Sequence, residues 1–559
     1  MSMAPEGADR TGNAARRVAD DRAVMSRRAL LKGAATAAAA AAAGAVGVGA
    51  QQKPGLMPDD GGVVPWRTPA GALSFLDKKE YISNMEIISF LPGATISAGE
   101  PLISMWAKGK QRLFPGGGGW IDVTDPRKPV AIKTPSRTGG AVAYNNKLKK
   151  WIMMTTAAAP LTNGTPEHPM GRYDPDIRKI YDDFKGLRGI RTYDVTDAVR
   201  PVLLQEFSTG AKGMGTHMNY YDGGQYAFLE AGWDETLRME NSQRAFSNAL
   251  MIVDISDPAS IKEVSRFWAP GQKYGEDAIY NTYPFADDHQ SWTGNHGSMI
   301  TPIRPEDGGR VGYSGFGAFG MFTLDLTDIR NPKVLSQFRW QYESPAGIPF
   351  HTIYPITAGP SHPKLQNLVL GIPETIQADC REPIKIPYVI DIKDPRNPRV
   401  IGLFPKPSAP KDAPYADFCL ARGRFGTHNC QNWVAPGIAR PEMFAVAWFA
   451  AGGRLFDLSD PTNPKEVAWY VPPAAASGDL TKYETWWRGT SECMTIEWDR
   501  NLIWLGTHSG TYCLSSPALG KPVLEPKKID RWSVAHVNVG WDEATPTVSY
   551  LGRGLSQMG

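Results

Sequence analysis

The sequence predicts an all-β protein: a seven-bladed β-propeller of four-stranded antiparallel blades, with long loops gathered on one face. Three features predict it. A short phrase recurs six times, as IDVTDP at 121–126, YDVTD at 193–197, VDISDP at 253–258, LDLTD at 324–328, IDIKDP at 390–395 and FDLSDP at 456–461. Its leading aspartates, Asp122, Asp194, Asp254, Asp325, Asp391 and Asp457, are spaced by 72, 60, 71, 66 and 66 residues. Helical periodicity of useful length is nearly absent beyond the N-terminal segment.

Each phrase reads as an alternating strand closed by an Asp/Pro turn. A repeated unit of this size cannot bury its apolar face alone, so the units stack or close into a ring. The sixth unit shows the strand order: an inner strand from His428 to Trp433, a second from Met443 to Phe449, a third from Gly453 to Asp457, and an outer strand near Glu466–Trp469. Four short strands rich in aromatic and β-branched residues make a propeller blade. After the sixth phrase, 501–505 and 510–514 supply the second and third strands of a seventh blade that lacks the Asp, and strand material from the two chain ends is expected to close the ring. The phrases resemble the LVIVD-repeat propeller family, over roughly residues 95 to 515. That resemblance implies the fold; the family is functionally mixed and implies little about chemistry.

The N-terminus reads separately. Arg27 and Arg28, then a mildly apolar Ala/Gly-rich run to Ala50, resemble a twin-arginine (Tat) export signal. The expected organisation is a signal and extension over 1–50, a linker over 51–75 and the propeller over 76–559, with the Tat translocation machinery as a partner during export and the periplasm as destination. A net charge of +3 gives no reason to expect a nucleic-acid partner, and no apolar run in the mature region is long enough for a membrane span. Of five cysteines, Cys419 and Cys430 are placed to bridge one loop, with buried free thiols as the alternative.

The chemistry lies in the register of the histidines. In a propeller the first strands of all blades line the channel and run the same way, so their first residues ring one mouth. Those starts are approximately Ala98, Gly139, His217, His296, His351, His428 and Glu492. With nine His in 559 residues, four in one register is unlike chance placement. Imidazoles from neighbouring blades converge on one ion without backbone movement, and imidazole suits Fe, Cu, Zn and Ni. The second strands end at the same rim, which brings in Glu230, Glu374 and His508; Glu230, Glu374 and Glu492 are expected behind the ligands, orienting them. Four histidines backed by glutamates on a seven-bladed propeller resemble, in geometry, the carotenoid cleavage oxygenases. There four histidines hold Fe(II) and outer glutamates orient them; none of that family's sequence motifs occurs here. The comparison favours a divalent metal as cofactor, Fe(II) ahead of Cu or Zn.

Long loops fall on the same face, over 157–190, 233–248, 268–295 and 404–427. They carry Tyr173, Tyr181, Phe184, Trp233, Tyr280, Tyr283, Phe285, Trp292, Tyr415 and Phe418, with Arg188, Arg422 and Arg424. Such loops on a rigid scaffold build pockets and lids, so a small apolar or aromatic organic substrate is expected, its anionic group met by arginine. Glu492 and His289 are the expected proton-transfer groups, with His168 a weaker candidate. No phosphate loop, Gly-x-Ser-x-Gly elbow or Cys/His nucleophile pair is present. The leading reading is an exported non-haem iron oxygenase or related oxidoreductase. Its alternatives are a metal-dependent lyase, isomerase or hydrolase on the same site, and a non-catalytic binding propeller.

Overall fold

The computed structural model describes residues 77–534 and 538–540, apart from 97–103, 135–139, 146, 160–182, 212, 234–236, 238–247, 287–292, 340–346, 377–379, 381, 422, 431–433 and 475–490. The expected export signal, the starts Ala98 and Gly139, and the candidates His168 and His289 lie outside the described residues.

Seven four-stranded antiparallel sheets succeed one another as blades. Blade 1 is Trp106–Lys108, Gln111–Gly116, Gly119–Asp122 and Val130–Lys133. Blade 2 is Ala141–Asn145, Lys150–Ala157, Gly189–Asp194 and Val202–Ser208; blade 3 is Gly215–Thr216, Tyr226–Gly232, Ala249–Asp254 and Lys262–Phe267. Blade 4 is Met299–Ile300, Val311–Gly315, Met321–Asp325 and Lys333–Phe338; blade 5 is Ile348–Pro355, Leu368–Glu374, Tyr388–Asp391 and Arg399–Leu403. Among the described residues no helix is long and apolar enough to cross a membrane.

The recurrent phrase does one structural job six times. The third strand of blades 1 to 6 ends on its leading aspartate, whose carboxylate accepts the backbone N–H two residues on: Thr124 on Asp122 at 2.9 Å, Ser256 on Asp254 at 2.8 Å, Ser459 on Asp457 at 2.7 Å. The second aspartate repeats the device, as Asp125 does with Arg127 and Asp394 with Arg396. A short acidic side chain that bonds its own backbone forces the turn to the outer strand. Middle strands such as Leu502–Thr507 are buried throughout, whereas the outer Val202–Ser208 alternates with exposed positions. Their sequences differ accordingly, one a continuous apolar run and the other a half-polar alternation.

Blades 6 and 7 are completed from the N-terminal side. Blade 7 joins Ser491–Glu497, Leu502–Thr507 and Gly510–Ser515 to Glu86–Pro92, which pairs with Gly510–Ser515. Blade 6 departs from expectation. Its sheet holds Met443–Ala447, Gly453–Asp457 and Lys465–Val471, and the fourth strand is Tyr81–Ser83 on the outer edge. Of the expected inner strand at 428–433, residues 431–433 lie outside the described residues, and 428–430 pairs through the Cys430–Val446 bridge and a bond from Ala447 N to Asn429 O. Asn429 N turns instead to Glu492 O of blade 7, and Val434–Pro436 leaves to pair with Arg531–Val534, which pairs with Asn538–Gly540. The segment is shared between neighbours, so it cannot continue a regular ladder with one of them.

A buried charge cluster locks the seam between the first and last blades. Glu497 accepts from Arg112, from Arg500 Nε at 2.6 Å and from Trp504 Nε1 at 2.9 Å. Arg112 also holds Asp499 at 2.7 Å, and Arg500 reaches the carbonyls of Val123 and Thr124 in blade 1. The disulfide differs from the expected pairing: Cys380 bonds Cys419, and Cys430 is a buried free thiol. Cys430 faces inward from the blade 6 bridge, where burial pushes its thiol up to about 12, whereas Cys380 and Cys419 lie on adjoining loops with Cα atoms 5.3 Å apart.

A candidate metal centre of histidines and carboxylates

Each imidazole is delivered by the innermost segment of a different blade. His217 follows Gly215–Thr216 in blade 3, His296 precedes Met299–Ile300 in blade 4, and His351 lies within Ile348–Pro355 of blade 5. His428 leads into the Cys430 bridge of blade 6. Neighbouring rings lie close, with centroid separations of 5.2 Å from His217 to His296, 4.3 Å from His296 to His351 and 5.2 Å from His351 to His428. Gly297 makes this spacing possible. Its φ of +84° lies in the left-handed region, and a Cβ there would meet the His351 carbonyl oxygen at 2.2 Å.

The Nδ1 atoms point away from the centre toward fixed partners. His296 Nδ1 lies 3.2 Å from Glu230 Oε2, and His351 Nδ1 lies 2.7 Å from Thr352 Oγ1. His428 Nδ1 lies 2.9 Å from the Glu492 carbonyl and 3.1 Å from its Oε2. Glu230 is fixed in turn by Asn248 and by the N–H groups of Met218 and Gly297. His508 joins the half-buried end of this chain, its Nε2 2.7 Å from Glu492 Oε1. Because Glu230 and Glu492 offer only acceptors, the ring protons of His296 and His428 belong on Nδ1 and their Nε2 lone pairs face inward.

What the Nε2 atoms face is Glu374. Its Oε2 lies 3.6 Å from His296 Nε2 and 3.4 Å from His351 Nε2, and its Oε1 lies 3.6 Å from His428 Nε2. His296, His351 and Glu374 each offer an atom within 4.8 Å of the other two. His351 Nε2 is fully buried and no hydrogen bond satisfies it. Glu374, expected behind the histidines, thus stands among them, because the second strand of blade 5 ends on it where three first strands begin.

The site's electrostatics follow from burial and pairing. Burial would raise the Glu374 carboxyl, yet Arg424 and then the histidines hold it well below the carboxylate range. Against the same burial, hydrogen bonds from His428 and His508 hold Glu492 low, and His296, His217 and Asn248 hold Glu230 low. Burial, then the neighbouring His296, pushes the His351 imidazole well below its usual range.

The loop groups are elsewhere than expected. Tyr280, Tyr283 and Phe285 pack on Phe319, with ring centroids 5.0 to 6.4 Å apart, and Tyr415 packs on Phe418; all are buried as loop core. Arg188 lies buried over the Phe184 ring, its Nη1 bonded to the Phe184 carbonyl. Arg424 pairs with Glu374, bonds Thr375 O and lies 3.8 Å over the Phe449 ring, so it is engaged within the protein. Tyr173, Tyr181, Trp292 and Arg422 lie outside the described residues. Sequence reasoning missed Phe449, which stacks on His428 at 4.9 Å from the turn after Met443–Ala447. Its φ of 34° is rare for a bulky residue, and nothing in the local sequence announces it.

Fold and site together define a seven-bladed β-propeller with a buried histidine–carboxylate cluster on the innermost segments of its blades. The LVIVD repeat matches at residues 245–268, the third of the recurrent phrases with the strands around it, and the chain is a β-propeller that carries this repeat. No curated protein matches the sequence. Among solved structures, the β-propeller domain of Cps50 (Swd1) from Myceliophteria thermophila is similar at 10% identity and a TM-score of 0.38, covering 76% of this chain and 99% of that one. U3-55K is similar at 7% identity and 0.37, covering 78% and 98%. Raptor from Chaetomium thermophilum is similar at 10% identity and 0.39, covering 80% of this chain and 30% of that one. Likeness of this degree adds nothing to the architecture read from the sheets.

Proposed function

We propose that this chain is an exported metalloenzyme of the oxidoreductase class, its metal held by His217, His296, His351 and His428. The observation that carries the reading is the shared orientation of the rings. Nδ1 of His428 is bonded outward to the Glu492 carbonyl, Nδ1 of His296 lies 3.2 Å from Glu230 Oε2, and the Nε2 atoms of three rings converge on one buried spot. Metal-bound histidines use this arrangement, one nitrogen toward the ion and the other toward an acceptor that fixes the tautomer. The buried Nε2 of His351, which no hydrogen bond satisfies, fits an ion-shaped demand.

A set dominated by neutral imidazole suits Fe(II) and supplies O₂-linked redox chemistry when loaded, with copper the nearest rival. This chain's own groups would orient the ring nitrogens through Glu230 and Glu492 and carry protons between Glu492 and the half-exposed His508, with a small organic substrate at the mouth. Export through the twin-arginine route to the periplasm is supported by Arg27 and Arg28 and by the Cys380–Cys419 disulfide, a bond that persists in oxidising compartments. The test is to load the protein with Fe(II) without oxygen and add nitric oxide. A high-spin iron–nitrosyl EPR signal at one per chain is expected. Tight zinc binding with no iron signal would replace redox by Lewis-acid chemistry, and no metal binding would leave a non-catalytic propeller.

A further inference from the structure

We propose that Glu374 is itself a ligand of this centre, bound through Oε2 beside His296 and His351, with Oε1 reserved for Arg424. The inference rests on the metal reading above and specifies its donor set: imidazole nitrogens and one carboxylate oxygen rather than imidazole alone.

Distance carries it first. The Nε2 atoms of His351 and His296 lie 3.4 and 3.6 Å from Glu374 Oε2, and His428 Nε2 lies 3.6 Å from Oε1. A charge-assisted N–H···O bond would be about 2.7–2.9 Å. Two donors held about 2.0–2.2 Å from one ion at a near-tetrahedral angle stand about 3.3–3.6 Å from each other. The observed separations are those of neighbours around an ion and too long for partners in a hydrogen bond.

Proton placement carries it second. His428 spends Nδ1 on the Glu492 carbonyl and His296 Nδ1 faces Glu230 Oε2 at 3.2 Å, so with the proton on Nδ1 their Nε2 lone pairs meet the lone pairs of Glu374. Lone pairs converging in a dry site repel unless a cation lies between them. Arg424 is placed on Oε1 rather than on Oε2, the oxygen that His296 and His351 face.

Arg424 is then a positioning residue. Its guanidinium holds Glu374 Oε1 and the Thr375 carbonyl and lies 3.8 Å over Phe449, whose ring stacks on His428 at 4.9 Å and 20°. One buried cation therefore fixes the carboxylate on one side and, through Phe449, an imidazole on the other. It also balances the anion that Glu374 adds to the donor set. A carboxylate among imidazoles makes the site harder, turning it toward Fe(II), Mn(II) and Zn(II) and away from Cu(I).

Anaerobic Co(II) loading of the full mature chain reads the donor set directly, by the visible ligand-field bands and by affinity against a competing chelator. Wild type, Glu374→Gln, Glu374→Asp and Arg424→Met are compared, with Glu492→Gln as an outer control. Glu374→Gln is expected to lower Co(II) affinity at least about 100-fold and to shift the bands. Glu374→Asp is expected to recover part of the affinity, and Arg424→Met to lower it about tenfold, as loss of an outer partner does. Wild-type binding with unchanged bands and affinity in Glu374→Gln would overturn the Glu374 assignment and leave the metal reading standing. No Co(II) binding by wild type would overturn both. Should Glu374→Gln fail to fold, ENDOR of the Cu(II)-loaded wild type, isotopically labelled at its glutamate carboxyls, decides instead: carboxyl coupling supports the ligand, and its absence overturns it.

Discussion

Glu374 Oε2 lies 3.4 Å from His351 Nε2, both side chains are buried, and no hydrogen bond joins them. In the proposed centre the metal ion lies between these two atoms. The surrounding shell is built to hold them there: Arg424 fixes the carboxylate, Thr352 engages the imidazole, and Gly297 lets the blade 4 segment pass against the His351 backbone.

Glu492 acts on His428 from behind, through its carbonyl at 2.9 Å and its carboxylate at 3.1 Å. Glu492→Gln keeps the carbonyl contact and removes the charge. The expected outcome is a protein that still binds metal, with affinity lowered about 10- to 100-fold, measured by chelator competition. Complete loss of the metal would promote Glu492 to a ligand.

Gly297→Ala places a methyl 2.2 Å from the His351 carbonyl oxygen at a backbone φ of +84°. The strained conformation alone costs about 1–3 kcal/mol, and the clash adds to it. A lowered melting temperature together with weakened metal binding is expected, because the displaced segments carry His296 and His351. Full metal affinity in a destabilised variant would show that the two segments move as one body.

The Cys380–Cys419 disulfide ties the loop leaving Glu374 to the loop entering Arg424 and His428. Removing it through the paired Cys380→Ser and Cys419→Ser substitutions is expected to cost about 2–4 kcal/mol, seen as a lower denaturant midpoint. The wild type under reductant should approach the variant. Coincident unfolding curves for oxidised wild type and variant would mean that the loops are held by packing alone.

Arg500 and Arg112 pull the Glu497 carboxyl down to about 2 against its burial. A depressed folded-state value means that the contribution is present above the ordinary carboxylate range and lost as pH falls toward 2. Acidification from about pH 5 to pH 2 should therefore destabilise the wild type steeply. Glu497→Gln should flatten that dependence while costing about 3–5 kcal/mol at pH 7, since Arg500 and Trp504 lose their buried partner. Parallel curves of stability against pH would contradict this account of the seam.

The fold was legible because it repeats. Six Asp turns, each with the same local hydrogen bond, mark the third strands, and the register of the inner strands follows from them. His217, His296, His351 and His428 were legible for the same reason, as four residues at one point of the unit. Blade 6 was less so, because His428 and Asn429 turn to Glu492 of blade 7, 64 residues from His428. Glu374 was found at the rim, but its place among the histidines depends on Arg424, which looks from sequence like a loop cation awaiting a ligand. The Cys380 partner was missed because proximity in sequence favoured Cys430, whereas adjoining loops of blades 5 and 6 bring Cys419 to it.

The most direct test is the metal content of the purified protein beside its His351→Ala variant. About one iron or copper per chain is expected in the wild type and none in the variant, with both showing the same β-rich circular dichroism. A metal-free wild type, or equal metal in both proteins, would contradict the centre.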